Sequence, residues 1–427
     1  MIQRTQQLLT SPWIICFVAL VLRLAFFLQQ AHQVPAQILA TVPFENEAGS
    51  IAAALARGDG FCCLFRQPTG PTAWLTPVYP AFLAGIFKLF GTFTVASFYV
   101  AVLFNCIFSA LACLPLFHAA KRISGFSLSI LTAWAWAFFP SGIILPFEWI
   151  WETSLSALLA STILWATLYL SEKPKRQNFV FYGLLWGFCL LTNPSLGAVF
   201  LFCLLWFFFQ RPPALRIPKS SILMTLVLAV VVCLPWTFRN AVQFHRFIPL
   251  RSNLPFELWM GNNPIYDEHS RQVNRITRYE QVHLYSELGE TAYLREKGMA
   301  AIAFIRSHPL LCLQLAGKRA AVVWLGTSNP RFDFLRADSL LARFVLFFNA
   351  LTILTTIGGL LLLYIRHPRF FLPIASFPLF FPLVYYFTQA SLRLRHPCDP
   401  VLALLLALCF LSLFRLASSN TIQVKMR

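Results

Sequence analysis

The sequence has 427 residues, of which 58% are hydrophobic and 12% are charged, and its mean hydropathy is +0.66. Because soluble domains carry about a quarter charged residues, this composition excludes a water-soluble protein and predicts a polytopic membrane protein. The net charge of +18 is expected to serve membrane topology and an anionic ligand, not nucleic acid.

Eight apolar runs are long enough to cross a bilayer, which takes a helix of about 20 residues. They cover residues 12–30, 96–119, 126–145, 153–170, 221–238, 342–365, 370–388 and 398–415. The first run lacks an A-x-A-like cleavage site and is expected to remain as a span. Arg23 lies within this run and is expected to snorkel along the helix to the interface.

Short basic clusters between the runs predict the orientation of the chain, since such clusters stay on the cytoplasmic side. The clusters are Arg4 and residues 121–122, 173–176, 211–219, 366–369 and 425–427. This placement predicts about ten crossings of the inner (plasma) membrane with both termini cytoplasmic. The external loops then lie near residues 31–95, 146–152, 193–195, 239–341 and 389–397. We expect one all-α membrane-embedded domain, residues 1–427, which ends in the C-terminal helices of 342–427.

Residues 177–210 must form a shortened hairpin to fit this scheme. They number 34, whereas two full crossings of a roughly 30 Å core need about 40 residues. Asn193-Pro194 is expected to make the turn, because proline disfavours helix in the residue before it. Non-helical backbone at such depth is tolerated against a wet cavity, so an outward-facing cavity is predicted at the turn.

The external loops are expected to carry helices that lie at the membrane surface. In the first loop, residues 47–56 have helical spacing and are followed by Gly58, and residues 69–91 predict a second juxtamembrane helix. In the large loop, residues 310–327 are apolar but are interrupted by two basic residues. We therefore expect a third surface helix there, which caps the cavity.

A series of short motifs runs through the chain. The first loop contains PFENEAG, GDGF, TGPTAW, PVYP and FKLFG, and later segments are WETSLSALL (151–159), GLLWGFCLLTNPSL (183–196), PWTFRNAVQFHRFIPLRSNLPFELWMGNNP (235–264) and RLRHPCDP (393–400). Their shared order resembles that of bacterial GT-C glycosyltransferases, and more narrowly the group related to protein mannosyltransferases and the lipid A aminoarabinose transferase.

The resemblance implies transfer of a sugar from a polyprenyl-phosphate or polyprenyl-diphosphate donor to an acceptor, with inversion, on the non-cytoplasmic face. It also implies that an acid in the first external loop is the base, and the matching position is Glu47, two residues before Gly49. Glu45 lies outside the matched pattern and is expected to be a solvated loop residue. Without the resemblance, Glu47 has an ordinary explanation as an acid favoured by the macrodipole at a helix N-terminus.

The chemistry of such a transfer needs one carboxylate and a set of cations. The carboxylate removes the proton of the attacking hydroxyl, and the cations hold the charge of the departing lipid phosphate. Because the leaving group is already anionic, a second acid is not required. No cofactor is required for this scheme, and no metal ligand is assigned; a divalent metal is possible but has no support in the sequence.

A second carboxylate and several cations complete the predicted site. Related transferases carry an acid near the position of Glu152, which is expected to orient the acceptor or assist a metal unless it caps the following helix. The cations predicted to bind the donor phosphate are Arg393, Arg395, His396, Arg239, Arg251 and Lys88. Snorkelling to headgroups is the alternative for the first three, and Asp399 is expected to cap its helix or pair with a neighbouring arginine.

The sequence thus predicts an inverting glycosyltransferase with Glu47 as base. Its expected partners are the lipid-linked donor, membrane lipids and an acceptor that is a lipid, glycan or protein. The alternative is a non-catalytic transporter or flippase of lipid-linked sugars, which would also need a cationic cavity but has no need for a carboxylate at the head of a surface helix. An acyltransferase is disfavoured because no external His-Asp pair is apparent.

Overall fold

The computed structural model of the chain describes residues 9–148, 150–209, 217–263, 279–327 and 340–425. Within these ranges the regular structure is helical, apart from one isolated antiparallel bridge between Cys62 and Pro71. The predicted all-α class is therefore confirmed. Arg4 and most of the basic cluster at 211–219 lie outside the described residues.

The α-helices follow one another along the described part of the chain. They are α1 (Pro12–Ala31), α2 (Ala36–Thr41), α3 (Glu47–Arg57), α4 (Val78–Phe90), α5 (Val95–Leu111), α6 (Cys113–Ala137), α7 (Pro140–Glu148), α8 (Thr153–Glu172), α9 (Arg176–Leu190), α10 (Gly197–Phe209), α11 (Lys219–Phe244), α12 (Leu254–Gly261), α13 (Tyr279–Leu288), α14 (Glu290–Ser307), α15 (Pro309–Leu325), α16 (Leu340–Arg366), α17 (Phe371–Phe380), α18 (Leu383–Phe387), α19 (Leu392–Arg395) and α20 (Asp399–Lys425).

Seven described segments are long and apolar enough to cross a membrane, or eight if a bent helix pair counts as one span. They are Pro12–Ala31, Val95–Glu148, Thr153–Glu172, Lys219–Phe244, Arg343–Arg366, Pro368–Phe387 and Leu392–Leu416. These segments include all eight predicted runs, apart from one residue at the edge of two of them, 342 and 388. Large apolar side chains such as Trp13, Leu223 and Leu354 are exposed on them, as lipid-facing helices require. The architecture is that of a multi-pass membrane protein.

The segment Val95–Glu148 is too long for one crossing. Its 54 residues would extend about 80 Å as one helix, more than twice a roughly 30 Å core. It breaks at Ser124 and Gly125, where Gly125 has a φ of 79°. After the break the chain lies beside the part before it, since Trp136 Nε1 donates to the carbonyl of Ser109 at 2.7 Å. The predicted separation into two runs is confirmed, and the total of about ten crossings stays a prediction.

The shortened hairpin is confirmed. Helices α9 and α10 are joined by a turn that contains a short 3₁₀ helix, Pro194–Leu196, and Asn193 Oδ1 accepts a hydrogen bond from Ser195 N at 3.1 Å. Helix α9 packs closely along α11. A Cβ at Gly187 would lie 2.4 Å from Cβ of Val232, so this approach requires glycine.

Arg23 in α1 is fully buried, which contradicts the expectation that it snorkels to the interface. Its Nε donates to Ser109 Oγ at 2.8 Å, and its terminal nitrogens donate to the carbonyls of Ala19, Trp136 and Ala137. These acceptors satisfy the guanidinium inside the bundle, where an unpaired charge would be costly. Arg23 therefore joins three helices.

The two predicted loop helices are present with altered bounds. The helix expected over 69–91 begins only at Val78, after Pro71 and Pro77, and α3 packs against it. In the large loop, α14 and α15 form a pair that is bent by 108° at residue 308. A helix over 310–327 is thus confirmed, and its position at the membrane surface stays a prediction.

Candidate functional site

Glu47 is the first residue of α3 and is half-buried. The helix starts there because Asn46 caps it, with Asn46 Oδ1 accepting a hydrogen bond from Gly49 N at 2.8 Å. A Cβ at Gly49 would lie 2.3 Å from the carbonyl oxygen of Phe44. The Glu-x-Gly pattern therefore has a physical reason: the chain before the helix crosses its first turn so closely that only glycine fits.

A small cavity lies beside this helix start. Its lining residues come from α3, the start of α4, the residue before α8, the hairpin turn and the start of the large loop, and they are Ala48, Leu75, Thr76, Tyr79, Pro80, Glu152, Thr192 and Arg251. Thr76 Oγ1 donates to the carbonyl of Thr192 at 2.9 Å and joins two of these walls. A cavity at the hairpin turn is thus present as predicted, and its outward orientation stays a prediction.

Glu152 lines the cavity and occupies the N-cap position of α8, where its side chain accepts no capping hydrogen bond. Its charge still lies at the positive end of this helix, so both expectations for Glu152 stay predictions. Burial raises the pKa of Glu152 to about 7, while the charges of Arg251 and Arg393 oppose this rise and the charge of Glu47 adds to it. These four side chains are therefore close enough to interact electrostatically.

Glu257 in α12 is a further acid of the site, and the sequence analysis missed it. Burial raises the pKa of Glu257 to about 7, with Arg251 and Arg393 again lowering it and Glu47 raising it. Its Oε1 accepts a hydrogen bond from Asn253 Nδ2 at 2.9 Å. The only signal for Glu257 in the sequence was that an acidic residue stands inside a predominantly apolar motif, in a chain that has few acids.

Two of the predicted cations belong to this group. The guanidinium of Arg251 lines the cavity and forms no hydrogen bond or ion pair with another described residue. The guanidinium of Arg393 lies over the ring of Trp151, with Cζ 5.2 Å from the ring centroid. Glu152 and Arg251 line the cavity, and Glu47, Glu257 and Arg393 interact with them electrostatically. We call these five residues the cavity cluster.

Arg395 and His396 lie elsewhere, in a fully buried group that does not line the cavity. Arg395 Nε donates to Asp399 Oδ1 at 2.7 Å, which confirms that Asp399 pairs with a neighbouring arginine. Arg395 also donates to Asn349 Oδ1 at 3.2 Å and to a backbone carbonyl. Ser141 Oγ donates to Asp399 Oδ2 at 2.5 Å, and His396 Nδ1 is 3.2 Å from the same hydroxyl. We call these five residues the bundle cluster.

The remaining predicted residues lie outside the cavity lining. Arg239 donates to the carbonyls of Phe61 and Thr72 at 2.8 and 2.7 Å, so its guanidinium holds the first loop. Lys88 is exposed in the last turn of α4, about 15 Å along the helix from its start. Glu45 is exposed, as expected for a solvated loop residue.

The described part of the chain contains no group of three or more His, Cys, Asp or Glu side chains that could hold a metal ion. The cavity cluster offers three half-buried carboxyls, two of them with raised pKa values, and two cations.

The sequence matches no protein-family model and no curated protein. Its fold is similar to that of the Archaeoglobus fulgidus oligosaccharyltransferase in a crystal structure with Zn and sulfate, with 12% identity and a TM-score of 0.51 over 96% of this chain. It is also similar to AglB from the same organism in complex with an inhibitory peptide and a dolichol-phosphate, with 13% identity and a TM-score of 0.50 over 97% of this chain. The chain spans about half the length of these structures, 51% and 52%.

A further similarity is to ArnT from Cupriavidus metallidurans bound to undecaprenyl phosphate. It covers 90% of this chain and 77% of that chain, with 14% identity and a TM-score of 0.39. These structural neighbours are GT-C glycosyltransferases. On the two oligosaccharyltransferase matches, the chain has the GT-C fold that its motifs predict.

Proposed function

We propose that this protein is a GT-C glycosyltransferase that moves a sugar from a polyprenyl-phosphate-linked donor to an acceptor on the non-cytoplasmic face of the membrane, with inversion. The observation that carries the proposal is the guanidinium of Arg251, which forms no hydrogen bond or ion pair with another described residue, at a cavity that Glu152 also lines, beside the helix that Glu47 begins. A guanidinium with free hydrogen-bond donors among the described residues is suited to an anionic ligand.

In the proposed reaction the acceptor hydroxyl oxygen attacks the anomeric carbon of the donor sugar. The bond from this carbon to the phosphate oxygen breaks, and the polyprenyl phosphate leaves with the electron pair of that bond. Glu47 takes the hydroxyl proton as the new glycosidic bond forms. Because attack and departure occur on opposite faces of the sugar ring, the configuration at the anomeric carbon is inverted.

The other members of the cavity cluster have separate tasks in this scheme. Arg251 and Arg393 hold the negative charge of the departing phosphate, where fixed cations in a water-poor site are most effective. Glu152 and Glu257 orient hydroxyl groups of the acceptor or the sugar, a role that either protonation state of a carboxyl can fill. The lipid-linked donor is also in line with the dolichol-phosphate of the AglB structure.

A transfer assay separates this proposal from a carrier of lipid-linked sugars. Purified protein in liposomes would receive polyprenyl phosphate that carries a radiolabelled sugar, together with a membrane extract as acceptor source. A transferase moves the label to the acceptor and releases an equal amount of polyprenyl phosphate. Label that crosses the membrane while it remains on the intact donor would establish the carrier instead.

A further inference from the structure

Glu290, the first residue of α14, accepts four hydrogen bonds from three separate parts of the chain. Its Oε2 accepts from Thr72 Oγ1 at 2.5 Å and from Tyr285 OH at 2.7 Å. Its Oε1 accepts from Ser252 Oγ at 2.6 Å and from Ala73 N at 2.9 Å. The residue is only 4% exposed, so these contacts form inside the protein.

The four donors tie the first external loop to the large one. Thr72 and Ala73 belong to the TGPTAW motif, Ser252 follows α11, and Tyr285 lies in α13. A direct backbone bond, Ser252 N to the carbonyl of Ala73 at 2.8 Å, joins the same two loops. Hydrogen bonds to a carboxylate are roughly twice as strong as those between neutral groups, so Glu290 is the centre of this junction.

Each of the two loops joined at this junction also contributes a residue to the cavity lining, close by in sequence. Ser252 directly follows Arg251, and Ala73 is three residues before Thr76, and both Arg251 and Thr76 line the cavity. Arg251 has no hydrogen bond of its own among the described residues, so its place depends on its backbone. Whatever holds Ser252 against Ala73 therefore sets where this guanidinium stands relative to the first loop.

We propose that Glu290 is a positioning residue that sets the place of Arg251 at the cavity and thereby the affinity for the donor phosphate. The inference rests on the proposed function, because the donor phosphate is the ligand assigned to Arg251. Glu290 itself does not line the cavity, so it acts through the loop junction.

The matched test is Glu290→Gln, which keeps the size of the side chain. All four partners donate, so the amide NH₂ of glutamine would face two hydrogen-bond donors. Losing hydrogen bonds of this kind should raise the KM for the donor about tenfold, while kcat changes less than about twofold. Glu287→Gln is the control, because Glu287 is an exposed acid of α13 whose partner is His283, and its KM should equal that of the wild type.

A second measurement does not depend on catalysis. Cys62 and Cys63 are buried in the first loop, which Glu290 and Arg239 hold in place. Their reaction with a membrane-impermeant maleimide, followed by mass spectrometry of the peptide that contains them, should be faster in Glu290→Gln than in the wild type. Ser252→Ala removes one of the four donors and should give an intermediate rate.

The two readouts separate the outcomes. Labelling of Glu290→Gln at the wild-type rate would show that Glu290 does not hold the two loops together. Faster labelling with an unchanged donor KM would show that the junction does not set the position of Arg251. If Glu290→Gln does not fold, the same comparisons are made with Ser252→Ala. Absence of transfer in the wild type would refute the proposed function, whereas the labelling rates would still test the junction.

Discussion

Arg393 and Arg395 are two residues apart in one motif, yet they belong to the cavity cluster and the bundle cluster respectively. The bundle cluster is internally neutralised, since the Arg395 guanidinium is shared among Asp399, Asn349 and a carbonyl. In the cavity cluster, three carboxyls and two arginines interact electrostatically, and the Arg251 guanidinium forms no hydrogen bond with another described residue. The difference separates charges that stabilise the fold from an arginine, Arg251, that forms no hydrogen bond with another described residue and can bind a ligand.

The acidic residues of the two clusters differ in the same way. Asp399 receives hydrogen bonds from Arg395 and Ser141, as a permanent ionised partner would. Glu152 and Glu257 have pKa values raised by burial to about 7. Carboxyl groups that gain and lose their proton near neutral pH are typical of functional sites, whereas buried ion pairs with complete hydrogen bonding are typical of structural ones.

The largest expected effect is on stability, from Arg395→Met. Removing one partner of a buried ion pair leaves Asp399 without compensation, which costs about 3–5 kcal/mol of the free energy of unfolding. Denaturation in mixed micelles measures this loss. Arg393→Met is the matched control and should lose less than about 1 kcal/mol. Equal losses in the two variants would remove the distinction between the clusters.

The second effect is on the donor, from Arg251→Ala. Because Arg251 forms no hydrogen bond or ion pair with another described residue, the free energy of unfolding should stay close to that of the wild type. The KM for the donor should rise about tenfold or more, as expected for loss of a charged hydrogen bond to phosphate. Arg246→Ala alters an exposed arginine of the same loop and should leave the KM unchanged. An unchanged KM in Arg251→Ala would exclude Arg251 as a phosphate ligand.

The smallest effect is a change in the pH dependence of stability. Because burial raises the pKa of Glu152 and Glu257 to about 7, the folded protein keeps two protons that the unfolded chain releases near pH 4–5. The free energy of unfolding should therefore fall as pH rises from about 5 to about 7, by up to about 1.4 kcal/mol per pH unit for each group. Glu152→Gln should remove about half of this slope.

Denaturation of the wild type and Glu152→Gln at several pH values between about 5 and 8 tests this expectation. A double variant with Glu257→Gln should be flatter still, because both carboxyls are then absent. Parallel curves for the wild type and Glu152→Gln would show that Glu152 does not hold a proton in the folded protein.

The helices could be predicted from the sequence because their signals are local. The apolar runs coincide with the observed spans, the hairpin turn falls at Asn193, and α3 begins at Glu47 as its spacing indicates. The start of α4 at Val78 was harder to predict from the sequence, because residues 69–77 are held in a non-helical form by partners in the large loop, Glu290 among them.

The division of the charges could not be predicted, because it depends on partners that are far away in sequence. Arg395 donates a hydrogen bond to Asn349, 46 residues away, and Arg23 donates one to Ser109, 86 residues away. A motif such as RLRHPCDP shows that three cations are near one another but not which of them is already neutralised. Glu257 was missed for the same reason, since its relation to Arg251 and Glu47 exists only in the folded chain.

The most direct test of the account is the rate of sugar transfer at saturating donor for wild type, Glu47→Gln and Glu45→Gln. The two glutamates are two residues apart, but only Glu47 begins α3 and interacts with the cavity carboxyls. Loss of a general base should lower the rate of Glu47→Gln by about 10²–10⁴-fold, while Glu45→Gln keeps the wild-type rate. Transfer by Glu47→Gln at the wild-type rate would contradict the account.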